Sequence, residues 1–96
     1  MSTATPLTIR LSPADNVVVA RADLLAGAEV ATERLAAKAR VPAGHKMATA
    51  AIAAGQPVRK FNQIIGFAKE AIQPGAHVHV HNIEFKTFAR DYAAGS

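Results

Sequence analysis

Pro74-Gly75-Ala76-His77-Val78-His79-Val80-His81-Asn82 is the run on which the reading of this chain turns. Its three histidines alternate with two valines. Successive side chains of a strand point to opposite faces, so His77, His79 and His81 line one face and Val78 and Val80 the other. The valines predict an anchor in a core. Pro74-Gly75 predicts a turn before the strand, and Asn82 follows with an amide that both donates and accepts. One histidine on a half-exposed strand needs no function. Three at a period of two gather neutral imidazoles, which suits a transition metal or an acid–base centre near neutral pH. A structural zinc site would want a fourth ligand, and three imidazoles specify no reaction.

Outward from that run the chain reads as short extended pieces punctuated by Gly and Pro. Leu7, Ile9 and Leu11 alternate with Thr8 and Arg10, predicting a short, half-buried strand. Ser12-Pro13-Ala14-Asp15-Asn16 predicts a turn, and Val17-Val18-Val19-Ala20 a buried strand. Residues 28–39 have the alanine content and spacing of a helix, though Gly27 interrupts the pattern. Val41-Pro42-Ala43-Gly44 predicts a turn that releases His45-Lys46-Met47-Ala48 as a strand. Residues 49–54 suggest one helical turn ended by Gly55, and Gln56 to Lys60 is extended. Gly66, after Ile64-Ile65, permits a kink or a close strand approach. Ile83, Phe85 and Phe88 are expected to pack on the core or a partner.

Ninety-six residues make one domain, expected over 7–88 with a frayed start at 1–6 and a tail at 89–96. Half of the residues are apolar but aromatics are few. The core should therefore be thin and helped by another copy or a larger subunit. With no cysteine, disulfides, thiolate zinc sites and cysteine nucleophiles are excluded. No stretch approaches the roughly 20 apolar residues of a membrane span, and the N-terminus has no secretory pattern; the expected location is cytoplasmic. The net charge is +4, but the cations are scattered and no basic run is interleaved with aromatics. Nucleic acid is a poor fit; a small carboxylate or an acidic partner suits the charge as well.

Four phrases taken together carry a family resemblance. They are Pro13-Ala14-Asp15-Asn16-Val17-Val18-Val19, Val41-Pro42-Ala43-Gly44-His45-Lys46, Gln63-Ile64-Ile65-Gly66-Phe67-Ala68, and the histidine run ending in Asn82. In this order the chain resembles, over about residues 7–83, the SAF-type small domain of the altronate and galactarate dehydratase family, a group that includes the sulfolactate sulfo-lyase small subunit. The resemblance implies a mostly all-β fold, a β-clip of short strands like type III antifreeze protein, with one or two short helical turns. It favours strands over a helix at 28–38. It also implies a small subunit, inactive alone, that pairs with a large catalytic subunit, and an end just after the histidine run fits that form. Such enzymes remove water or sulfite from a hydroxy acid using a divalent metal, iron or manganese. Phe61-Asn62 departs from the Tyr-Gly that many relatives carry.

Dehydration of a hydroxy acid needs a base for the proton beside the carboxylate, a cation for the developing enediolate, and help for the leaving oxygen. Phrase-by-phrase matching makes His45, His79 and His81 the catalytic candidates, with His79 and His81 also the metal candidates. Lys46, Asn82, Asp15 and Asn16 are the substrate-binding candidates. For Asp15 and Asn16 turn capping is the stronger expectation. His77 is expected at the margin. Two other readings compete. One is a non-enzymatic carbohydrate-binding or assembly module, since fold alone does not fix function. The other is a self-associating metal-binding protein using His77, His79 and His81.

Overall fold

The computed structural model describes residues 6–85. The expected tail at 89–96, the expected packing of Phe88 and most of the frayed start at 1–6 lie outside these residues. The described chain is almost wholly β. Its strands are β1 (Thr8–Ile9), β2 (Val17–Ala20), β3 (Glu29–Val30), β4 (Leu35–Ala36), β5 (Lys46–Ala48), β6 (Pro57–Lys60), β7 (Gln63–Ala68), β8 (His77–Val78) and β9 (Ile83–Glu84). They form a four-stranded sheet in the order β1-β2-β5-β8, a three-stranded sheet in the order β6-β7-β9, and a β3-β4 ribbon. All paired neighbours are antiparallel.

The four-stranded sheet buries both of its faces, because the valine run of β2 is apolar on both sides. Val17, Ala48 and Val78 pack with Val58, Ala68, Ile72 and Ile83, most of which belong to the three-stranded sheet and its connections. Val18, Ala20 and Met47 pack on the other side with Leu24, Val30, Ala37 and Val41. The second cluster explains why residues 28–39 are not a helix. A two-strand ribbon turned by the 3-10 segment Ala31–Glu33 sends both Val30 and Ala37 inward, and the flanking bridge Leu24↔Val41 closes it. Tertiary burial overrides the helix propensity of the alanines.

Three local expectations are corrected. Residues 49–54 form no helical turn: Ile52 instead exchanges backbone hydrogen bonds with Ile72. The alternation of Leu7 to Leu11 is inverted. Thr8 is buried, while Leu7, Ile9 and Leu11 remain about two-fifths exposed. Pairing fixes this, since Thr8 lies opposite buried Ala20 and Ile9 opposite the half-buried Val19. Val80, expected as a core anchor, is 60% exposed, because β8 ends at Val78.

One glycine sets the entry to β8. Gly75 has φ +88°, and a Cβ there would run into the Ala36 carbonyl oxygen. Its N–H donates to the Ala48 carbonyl and its own carbonyl accepts from Lys38 N–H. That double tie presses the turn against β4 and β5 and delivers His77 to its place opposite Met47.

Candidate functional site

All four histidines of the chain meet at one place. His77 stands opposite Met47 in the β5–β8 ladder. His45 lies two residues before Met47 and so projects on the same side of β5. Its Nδ1 is 2.8 Å from His77 Nε2. After Val78 the chain leaves the strand and turns, and Asn82 holds that turn. The Asn82 side chain accepts from His79 N–H at 3.0 Å and donates to the His77 carbonyl at 2.9 Å. The turn swings the His79 ring onto His45, with centroids 3.8 Å apart and planes 11° from parallel. His81 lies tilted against His77 at 4.9 Å. The imidazoles are brought together as expected, but by a short strand and a turn rather than by one long strand.

His77, expected at the margin, sits at the centre: its ring neighbours are His45, His79 and His81. One nitrogen from each of His45, His77 and His79 lies within 4.8 Å of the others. His81 falls outside that group. Burial pushes the His77 pKa down to about 4, helped by the neighbouring histidines and by Lys46. The His79 pKa is also lowered, by burial first and then by His45 and Lys46. Both rings are therefore neutral near pH 7, the state in which imidazole binds a metal or accepts a proton. His79 Nδ1 is buried and has no hydrogen-bond partner among the described residues. A buried polar atom left unpaired costs free energy. An orphaned ring nitrogen beside two other imidazoles fits a ligand in waiting, so the residues present fit a divalent metal.

Lys46 pairs with Val19 and Val78, which puts it on the opposite face of β5 from His45 and His77. Its ammonium is half-buried, and its pKa is lowered by burial first and by Lys60 second. Its charge still reaches the imidazoles, since it depresses both His77 and His79.

Asp15 and Asn16 stand elsewhere and are committed to the fold. The Asp15 carboxylate accepts from Phe61 N–H and Asn62 N–H, each at 2.7 Å. Those two residues turn the β6–β7 hairpin with φ 56° and 58°, which is why a short polar acceptor is needed to hold them. Asn16 accepts from Arg59 N–H at 2.8 Å and donates to the Pro57 carbonyl at 3.0 Å. This is the expected capping role, extended over more than forty residues of sequence. Asn82 likewise spends its amide on shaping the histidine turn.

A small all-β domain carrying a tri-imidazole cluster at one sheet edge is the class that fold and site define. The chain belongs to the family described as the altronate/galactarate dehydratase SAF domain, which it matches over residues 6–86. It is 43% identical over 76 residues to altronate dehydratase of Escherichia coli, a match covering 77% of this chain and 15% of that protein. It is 45% identical over 53 residues to (2R)-sulfolactate sulfo-lyase subunit alpha of Paracoccus pantotrophus, covering 55% of this chain and 79% of that subunit. The subunit of the same name from Chromohalobacter salexigens is 41% identical over 49 residues, 51% of this chain and 52% of that subunit. Among the described residues no helix is long and apolar enough to cross a membrane.

Proposed function

We propose that this chain is the small accessory part of a metal-dependent hydroxy-acid dehydratase or sulfo-lyase, and that it lends imidazoles and an ammonium to an active site shared with a large catalytic subunit in the cytoplasm. The observation that carries this reading is the grouping of His45, His77 and His79 with one buried ring nitrogen unpaired. The relatives support the lyase class, because one is a dehydratase and the others are subunits of a sulfo-lyase.

In this reading His45, His77 and His79 hold the ion. A divalent iron or manganese bound there supplies Lewis acidity toward a substrate oxygen. His81, outside the trio but against His77, takes or returns a proton. His81 is an exposed residue. Lys46 offers a fixed cation to the substrate carboxylate, whose negative charge grows as the neighbouring C–H is deprotonated. Asn82 positions His79 through the backbone. The walls of the pocket belong to the partner, so the identity of the acid is set there.

Co-expression with the large subunit of a dehydratase of this family tests the reading. The complex should turn over a sugar acid or sulfolactate, and the lone chain should not. Full turnover by the complex carrying His79→Ala would remove the site assignment. Turnover by the lone chain would remove the shared-site reading.

A further inference from the structure

The imidazoles of His45, His77 and His79 do not point at a common centre. His45 Nδ1 and His77 Nε2 are 2.8 Å apart, while the two ring centroids are 5.0 Å apart and the planes differ by 18°. Nitrogens that close on centroids that distant require rings lying edge to edge, almost in one plane. The two nitrogens then face each other, and one of them carries the proton of the hydrogen bond between them. His79 lies differently. Its centroid is 3.8 Å from that of His45 with planes 11° apart, so it covers the face of the His45 ring. It is 5.9 Å from His77, again with planes 11° apart, as a ring stacked on one member of a side-by-side pair must be.

Imidazole binds a metal through the lone pair of a ring nitrogen, which lies in the plane of the ring. For His45 Nδ1 and His77 Nε2 to serve one ion, the proton between them must move to the outer nitrogen of its ring. A tetrahedral ion about 2.1 Å from each nitrogen also holds its ligand atoms about 3.4 Å apart, further than these two stand. Rings stacked face to face have parallel planes, so His45 and His79 cannot both aim at one ion while the stack persists.

The backbone is tied down on every side of the trio. His45 N–H donates to the Pro42 carbonyl, and its carbonyl accepts from Ala20 N–H. His77 is paired with Met47. His79 is bound to Asn82 through both its N–H and its carbonyl, and the Asn82 carbonyl accepts from Lys69 N–H. Rotation of the rings about their own side-chain bonds is the freedom that remains.

We propose that the trio has two mutually exclusive arrangements. In the closed one, His45 and His77 share a proton and His79 stacks on His45. In the ion-holding one, that hydrogen bond is broken and the stack is open, with the backbone unmoved. An ion therefore competes with the contacts the imidazoles make among themselves. This deepens the metal reading above and rests on it; the test tells the two apart.

The test follows the ring nitrogens of the full chain by NMR as zinc is added, since zinc is diamagnetic and suited to imidazole. Before zinc, through-space contacts should join the His45 and His79 rings, and His45 Nδ1 and His77 Nε2 should read as one protonated and one bare nitrogen. One equivalent of zinc should abolish both signatures together as a nitrogen of each of the three rings moves to a metal-bound position. The amides of Ala20 and Lys69 report the anchoring hydrogen bonds and should keep their protection from exchange. The proposal is overturned if zinc binds all three rings while the hydrogen bond or the stack persists. It is overturned equally if the ring contacts are absent before zinc, or if amide protection is lost on binding. Zinc that moves none of the three rings, or His81 alone, removes the metal reading and this proposal with it, an outcome recognised by ring contacts that stay intact throughout.

Discussion

The Asp15–Asn16 turn and the histidine cluster are both built around polar atoms partly withdrawn from water, yet those atoms are used in opposite ways. At the turn every carboxylate oxygen and both ends of the Asn16 amide meet a backbone partner at 3.0 Å or less. Among the imidazoles one nitrogen contact is made at 2.8 Å, rings stack on rings, and His79 Nδ1 is left without a partner. A saturated polar set stabilises a fold. An unsaturated one holds capacity for something that is not yet bound. The comparison predicts that the two regions will respond oppositely to substitution.

The largest separation should come from His79→Ala. Turnover by a complex with the large subunit should fall by about a hundredfold or more, the scale of a lost acid–base or ligand group, while the denaturant midpoint of the chain barely moves. A shift in midpoint as large as that of a core substitution would mean that the cluster is structural after all. Asp15→Ala should do the reverse. Two hairpin N–H groups lose a charged acceptor, and urea unfolding should show a loss of about 2 kcal/mol. Metal uptake by the folded fraction should be unchanged. If Asp15→Ala folds as well as the parent, the hairpin is held by something other than this carboxylate.

The pH dependence sharpens the contrast. His77 has a pKa of about 4 in the fold against 6.5 for the free side chain. Between those values the unfolded chain binds more protons than the folded one, so stability falls as pH drops from about 6.5 toward 4. His79 shifts in the same direction and adds to the slope. His77→Gln should flatten that part of the curve, and NMR titration of the His77 ring should show its midpoint near 4. An ordinary midpoint for His77 would show that the cluster is open to water.

The same contrast explains what was legible in the sequence. The mostly all-β fold, the buried β2 run and the strand exit at Lys46 follow from β-branched runs and from Gly and Pro punctuation, which are local signals. The gathering of His45 with the C-terminal histidines also followed, through the family's phrases rather than through periodicity. What did not follow depends on pairing. Alternation in Leu7 to Leu11 states that two faces differ, but the partner strand decides which face is inside, and Ala20 left room for Thr8. Alternation in the histidine run ends where Asn82 captures the chain into a turn, so Val80 went outward and His77 became central.

Thr8 supplies the control for the whole contrast, with the smallest expected effect. Its hydroxyl, like His79 Nδ1, is buried without a partner among the described residues. Its surroundings differ: Thr8 lies opposite Ala20, whereas the His79 ring stacks on His45. An orphan in that setting is only a cost, and Thr8→Val removes the hydroxyl while keeping the β-branched shape that suits a strand. The exchange should stabilise the chain by about 1 kcal/mol in urea unfolding and leave both metal uptake and turnover untouched. A stabilised but inactive Thr8→Val chain would show that an unpaired buried atom marks function wherever it occurs. The expected result, stability gained and activity kept, ties function to the imidazoles around His79 rather than to the orphaned atom alone.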